Sequence, residues 1–195
     1  MTGIMEIVRR MRRDESFVKK MAIGCGITFV PILNIFAFGF LFQVAKQARR
    51  GEKMTVPEWR QWDALFVDGI RFLIVLTAYF VMPLAVGWLL INILSVLSLG
   101  IPLNVAYLPF SIALLLAPAF TCVGLTRFLD TDDWLALFEF KEIVSNVVSA
   151  REILFVPSLI FAAMQFFLFP LYGISFFLGF LFILPYYTAY ISKKR

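Results

Sequence analysis

Histidine is absent from all 195 residues, cysteine occurs twice, and charged side chains make up only 16% of the chain. Without histidine the commonest metal ligand and the usual general base near neutral pH are both missing. Cys25 and Cys122 lie in apolar surroundings. They offer neither zinc-ligand spacing nor a disulfide framework, and are expected to be small packing residues. Asp, Glu, Lys and Arg are missing altogether from residues 72–126 and 153–192, so these stretches lack the ionisable groups that mark coupling and proton-relay sites in membranes. Phosphate-cradling and zincin motifs are absent too. The chain is therefore expected to be non-catalytic and to carry no cofactor or metal.

What is present is hydrocarbon. Apolar residues make up 61% of the chain and phenylalanine alone counts 23, against roughly 45–50% apolar in a soluble domain. The expected fold is an all-α integral membrane protein forming a single domain over residues 1–195. The net charge of +5 does not point to nucleic acid, because every basic residue flanks a membrane segment and so faces lipid headgroups. About twenty basic, amphipathic residues come first and no cleavage site follows, unlike a secretory signal.

Taken in order, residues 1–20 carry a basic amphipathic helix. Ile4, Ile7, Val8, Met11, Val18 and Met21 form its apolar stripe, and Arg9, Arg10, Arg12, Arg13, Lys19 and Lys20 its charge. Such a helix is an anchor on anionic lipid headgroups, or else the flank of the first span. A break is expected at Asp14 to Ser16, with Ser16 as the cap of a second short helix. Residues 21–45 are uncharged, yet Pro31 to Asn34 bisect them. The two pieces, about ten and about a dozen residues, reach roughly 15–20 Å each at 1.5 Å per residue, about half of a core near 30 Å thick. A re-entrant hairpin and a fifth span both remain open.

All 18 Lys and Arg fall in residues 9–20, 46–71, 127–151 and 193–195. If 21–45 is a hairpin, all four basic regions share one face and satisfy the positive-inside pattern. If it crosses, the first six basics face away from the other twelve. Residues 127–152 are a weaker witness, since they hold three basics against six acids, Asp130, Asp132, Asp133, Glu139, Glu142 and Glu152.

Residues 46–70 hold a loop and an interfacial helix. Thr55 is its expected N-cap, Pro57 lies in the first turn and Glu58 closes a capping box. Trp59, Trp62 and Phe66 recur at helical spacing, which suits the headgroup layer. Residues 71–127 form a span pair divided near residues 98–102. Residues 128–150 hold a second interfacial helix with Trp134, and Asp130, Asp132 and Asp133 would favour its N-terminus. Residues 151–195 form another span pair, divided near Pro170 to Gly173, and a basic tail behind Tyr186, Tyr187 and Tyr190. The expectation is thus four full transmembrane helices, the hairpin or fifth span, and interfacial helices. Trp62-Asp-Ala-Leu-Phe66 and Trp134-Leu-Ala-Leu-Phe138 agree at four of five positions, which raises the possibility of a parallel two-unit repeat.

Lys19-Lys-Met-Ala-Ile-Gly24-x-Gly26, Pro31-Ile-Leu-Asn34, Gly39, Arg49-Arg-Gly-Glu52 and Pro57-Glu-Trp-x-x-Trp62-x-x-Leu-Phe66-x-x-Gly69 together resemble a family of prokaryotic integral membrane proteins known only as a domain of unknown function. The detailed likeness covers residues 15–70. It implies the cytoplasmic membrane of a bacterium or archaeon and supplies no substrate or catalytic residue. Arg60 and Gln61 stand where acids are expected, which weakens any acidic cation site there.

Two functions fit this reading. One is a membrane scaffold, shaping protein or complex subunit that loads the cytoplasmic leaflet, with N- and C-termini cytoplasmic. Its partners would be the phospholipid bilayer, and a second copy or another membrane protein. Lipid-interface positions are Arg9, Arg10, Arg12, Arg13, Lys19, Lys20, Trp59, Trp62 and Trp134. The other is a small-molecule or ion permease or channel subunit, for which Asn34, Asn92 and Gln165 are the intramembrane polar positions, able to hydrogen-bond between helices.

Overall fold

A computed structural model describes residues 9, 11, 14–50, 56–97 and 107–194, and among these the chain is all-helical. The first helices are α1 (Phe17–Thr28) and α2 (Asn34–Arg50). Asp14 organises the entry to α1: its carboxylate accepts from the Ser16 amide at 2.9 Å and the Ser16 hydroxyl at 2.6 Å. Ser16 precedes the helix but makes no side-chain cap, so the expected break is present without the expected cap, and the Ser16 side chain bonds to Asp14 instead.

The turn between α1 and α2 falls where Pro31 and Asn34 predict it. Ile32 takes a left-handed backbone, φ 75°, and Asn34 N–H returns to Val30 O at 3.0 Å. A β-branched residue rarely adopts that conformation; here it reverses the chain in a few residues. The turn packs on the start of the last helix, α8 (Tyr172–Lys194): Phe29 meets Tyr172 edge-on at 5.6 Å and covers Gly173. Further down, Phe177 lies on Gly24 and beside Phe40, and Phe176 beside Phe38. The hairpin therefore runs along α8, with its turn at the beginning of that helix rather than at its middle.

α2 is the core of the bundle. Residues 37–42 are all buried, and a helix apolar all round is one surrounded by others. It packs on α3 (Trp62–Leu76), on α8 and on α1. Gly39 and Gly69 allow the α2–α3 approach: a Cβ on Gly39 would overlap the Leu65 carbonyl, and one on Gly69 the Ile35 carbonyl.

The polar segment before α3 differs from expectation. Val56, Pro57 and Glu58 are not helical, Trp59 and Arg60 form a turn, and α3 begins at Trp62; Thr55 lies outside the described residues. Tertiary contacts take Trp59 out of the helical register. Its ring stacks on Phe40 at 4.5 Å and 8°, and its indole N–H donates to Lys20 O at 3.1 Å. From Trp62 the helix continues through a π-helical turn, Thr77–Val81, into α4 (Met82–Leu97). The π turn immediately precedes Pro83, whose missing N–H would break an α-helical ladder. The expected interfacial helix, from Trp62 on, and the expected first span thus form one continuous helix of 36 residues.

α5 (Leu108–Thr131) returns. A 3-10 segment, Trp134–Phe138, leads to α6 (Phe140–Ser149), which meets α7 (Arg151–Phe167) at a 90° bend. A second 3-10 segment, Phe169–Leu171, gives the turn expected near Pro170 and leads into α8. Among the described residues, three stretches are long and apolar enough to cross a membrane: Trp62–Leu97, Leu108–Thr131 and Phe169–Ile191. α7, with 17 residues, qualifies only together with the bent α6. At 1.5 Å per residue it is about 25 Å long, short of a ~30 Å core. The two Trp-x-Ala-Leu-Phe segments fold differently, one opening an α-helix and the other forming the 3-10 turn. Between α3, α4, α7 and α8 the core is aromatic. Phe80, Phe161, Phe176 and Phe180 meet at tilted to edge-on angles, with centroids 4.8–6.0 Å apart.

Candidate functional site

Charge collects where the C-terminal turns of α2, α5 and α8 meet. Asp130 lies in the last turn of α5, where the helix dipole disfavours a carboxylate. Arg49, in the last turn of α2, compensates it with an Nε–Oδ1 distance of 2.5 Å. Both side chains are mostly buried, at 16% and 11% exposure. Asp132 follows in a left-handed cap, φ 51°, and Asp133 caps the 3-10 segment by accepting from Leu135 N at 2.9 Å. The expected first-turn carboxylates of an interfacial helix are instead the close of α5 and a cap.

Three further groups fix this end. Lys20 Nζ is 2.6 Å from Asp14 Oδ2 and donates to Val56 O at 2.9 Å, tying α1 to the segment before α3. The hydrogen bonds from Lys20 and Ser16 hold the Asp14 carboxyl down at about 2, from an ordinary 3.8. Asp68 is buried, accepts from Gln43 Nε2 at 3.2 Å and lies 3.5 Å from Arg71. Arg127 pairs with both Glu139 and Glu142, fastening α5 to α6. Opposite, the tyrosine hydroxyl of Tyr79 donates to Leu137 O.

Two cavities open on either side of the Arg49–Asp130 pair. The first, about 330 Å³, is lined by Thr126, Arg127, Asp130, Asn146, Tyr187 and Tyr190 among others. Tyr187 is fully buried, and its hydroxyl and Arg127 Nε have no hydrogen-bond partner among the described residues. Such groups cost about 1–3 kcal/mol each unless water or a solute meets them. The second cavity, about 280 Å³, is lined by Lys46, Arg49, Arg50, Arg71 and Asp132 over Phe42 and Leu129.

The residues singled out from sequence are scattered relative to these cavities. Arg9 and Lys19 are exposed and Lys20 is engaged as above; Arg10, Arg12 and Arg13 lie outside the described residues. Trp62, 44% exposed, packs edge-on to Phe36, and Trp134, 40% exposed, lies on Phe128. Of the polar positions, only Gln165 bonds between helices, accepting from Ser175 Oγ at 2.9 Å. Asn92 donates to Trp88 O in its own helix at 2.8 Å, and Asn34 opens α2 half-buried. Sequence reasoning used Arg71 and Arg127 only as counters of topology, and Arg49 otherwise only as part of the family motif. The signal it passed over is that Arg71 and Arg127 border one uncharged run and Arg49 lies just past the end of another, after Lys46, where cations meet helix ends.

No curated protein and no solved structure matches the chain. Residues 23–184, from within α1 to within α8, match one family throughout, and the chain belongs to it: the family described as protein of unknown function, DUF4013.

Proposed function

We propose that this is a non-catalytic membrane protein of the prokaryotic cytoplasmic membrane that loads the cytoplasmic leaflet, as a scaffold, a shaping protein or a subunit of a complex. The observation that carries the reading is the 90° bend at Ala150, between α6 and α7. With α7 inserted, α6 lies in the membrane plane at the charged end. It keeps Ile143 and Val147 on the protein and leaves Phe140, Val144 and Val148 exposed. Among the described residues, the opposite end adds no comparable element: the turns at residues 29–33 and 168–172 carry no charge, and Ile32, Phe167 and Phe169 are exposed there. Area added to one leaflet favours curvature. N- and C-termini then lie together on the cytoplasmic side, in agreement with the distribution of Lys and Arg.

The test is vesicle diameter against protein-to-lipid ratio in phosphatidylglycerol-containing liposomes. Diameter falls with added protein, and falls less for Phe140→Ser with Val144→Ser, which alters only exposed positions. A diameter independent of protein content contradicts the shaping role. A second reading, a small-molecule or ion permease, is favoured by the polar first cavity with its unpaired Tyr187 hydroxyl. It requires solute flux into proteoliposomes above that of empty vesicles, and Tyr187→Phe should reduce it.

A further inference from the structure

We infer that the second cavity, between α2, α3 and α5, is a binding site for a phosphate group. Its walls carry four cations, Lys46, Arg49, Arg50 and Arg71, and one carboxylate, Asp132. Two more acids stand behind the cations and hold them in place: Asp130 orients Arg49, and Asp68, itself steadied by Gln43, orients Arg71. Arg49 and Arg50 make further contacts of their own. Lys46 makes no ion pair among the described residues, so the site holds an ammonium that is not neutralised from within.

The geometry suits phosphate better than a smaller anion. Guanidinium forks match phosphate oxygens in pairs, and an ammonium adds a point charge. The arginines come from two different helices, so an oxyanion placed between them is contacted from both sides. The floor is apolar, formed by Phe42 and Leu129, and offers a surface for the glycerol or acyl carbons next to a headgroup. Basic pockets between helices at the cytoplasmic face are where phosphorylated headgroups bind. The shared chemistry is a phosphate ester, borne either by a membrane lipid or by a soluble metabolite. The inference does not rest on leaflet loading, since occupancy of this cavity and vesicle diameter are separate readouts.

Native mass spectrometry of the full chain in detergent tests it. The protein is equilibrated separately with phosphatidylglycerol, with diacylglycerol of the same chains, with glycerol phosphate and with inorganic phosphate. Saturable retention of phosphatidylglycerol over diacylglycerol is expected, and Lys46→Gln should weaken it about tenfold, the scale of one charge-assisted contact. Lys19→Gln, on the exposed face of α1, leaves it unchanged. Retention of glycerol phosphate or inorganic phosphate with the same dependence on Lys46 assigns the site to a soluble phosphate ester, and its absence there assigns it to lipid. Arg71→Gln is the second variant, scored only if its melting temperature stays near that of the parent. Lack of selectivity for phosphatidylglycerol together with no phosphate binding, or occupancy indifferent to Lys46, overturns the inference.

Discussion

Gly39 and Leu65 meet backbone to backbone: a Cβ on Gly39 would overlap the Leu65 carbonyl oxygen. The relation is reciprocated four residues along each helix, where Gly69 lies on the Ile35 carbonyl. Small residues at such a crossing let two helices pack without lipid or side chains between them, and this one joins the buried α2 to the long helix that begins at Trp62. Because the obstructing atoms belong to backbone, they cannot rotate away. Gly39→Ala and Gly69→Ala are each expected to cost about 1–3 kcal/mol. Gly26→Ala, which meets nothing within 4 Å, should be neutral or gain up to about 1 kcal/mol. Thermal melts in detergent compare the three, and equal effects at all of them would deny the crossing its role.

The Arg49–Asp130 pair should behave as one unit. Removing either partner takes this contact from a mostly buried charge, at a cost of about 1–3 kcal/mol. The double variant Arg49→Gln with Asp130→Asn should lose less than the sum of the two. A double-mutant cycle measures the difference; strict additivity would mean the contact contributes nothing.

Asp14 predicts a pH dependence of defined sign. Its carboxyl is lowered from 3.8 to about 2, so the folded state binds that proton less readily than the unfolded chain. The contribution is fully present above about pH 4 and is lost as pH falls toward 2. The melting temperature of the parent should exceed that of Asp14→Asn by a constant amount above about pH 4, and the gap should close between pH 4 and 2. A gap that widens on acidification would reverse the assignment.

Tyr79→Phe removes the hydroxyl that Leu137 O accepts. The loss, about 1–2 kcal/mol for a buried partner left without a donor, should be local. Amide deuterium exchange is expected to rise in residues 134–138 and to stay unchanged in α1.

The parts legible in the sequence are those governed by local chemistry. Pro31 and Asn34 mark the first turn and Pro170 the last, as local breaker chemistry predicts, although Pro118, Pro157 and Pro185 lie inside helices. The break at Asp14 to Ser16 is legible because Asp and Ser bond to nearby backbone at helix starts. The divide expected at residues 98–102 lies outside the described residues. What the sequence concealed was set by distant partners. Trp59 keeps helical spacing with Trp62 and Phe66, yet Phe40 and the Lys20 carbonyl hold it outside the helix. The uncharged run containing α2 looks lipid-facing, because hydropathy does not distinguish a residue surrounded by lipid from one surrounded by other helices. Of the site, the border arginines were visible as residues. Their convergence was not, since Arg49 and Asp130 are 81 positions apart and nothing local pairs them.

The central claim is that the charged ends of the chain share one side of the membrane, so that α1 and α2 enter and leave on that side. It is tested most directly by replacing Thr2 and Arg50 singly with cysteine in a background lacking Cys25 and Cys122, and treating intact cells with an impermeant thiol reagent. The account predicts that both positions are shielded until the cells are opened. Labelling of one and not the other in intact cells would show that the segment between them crosses the membrane, and would contradict it.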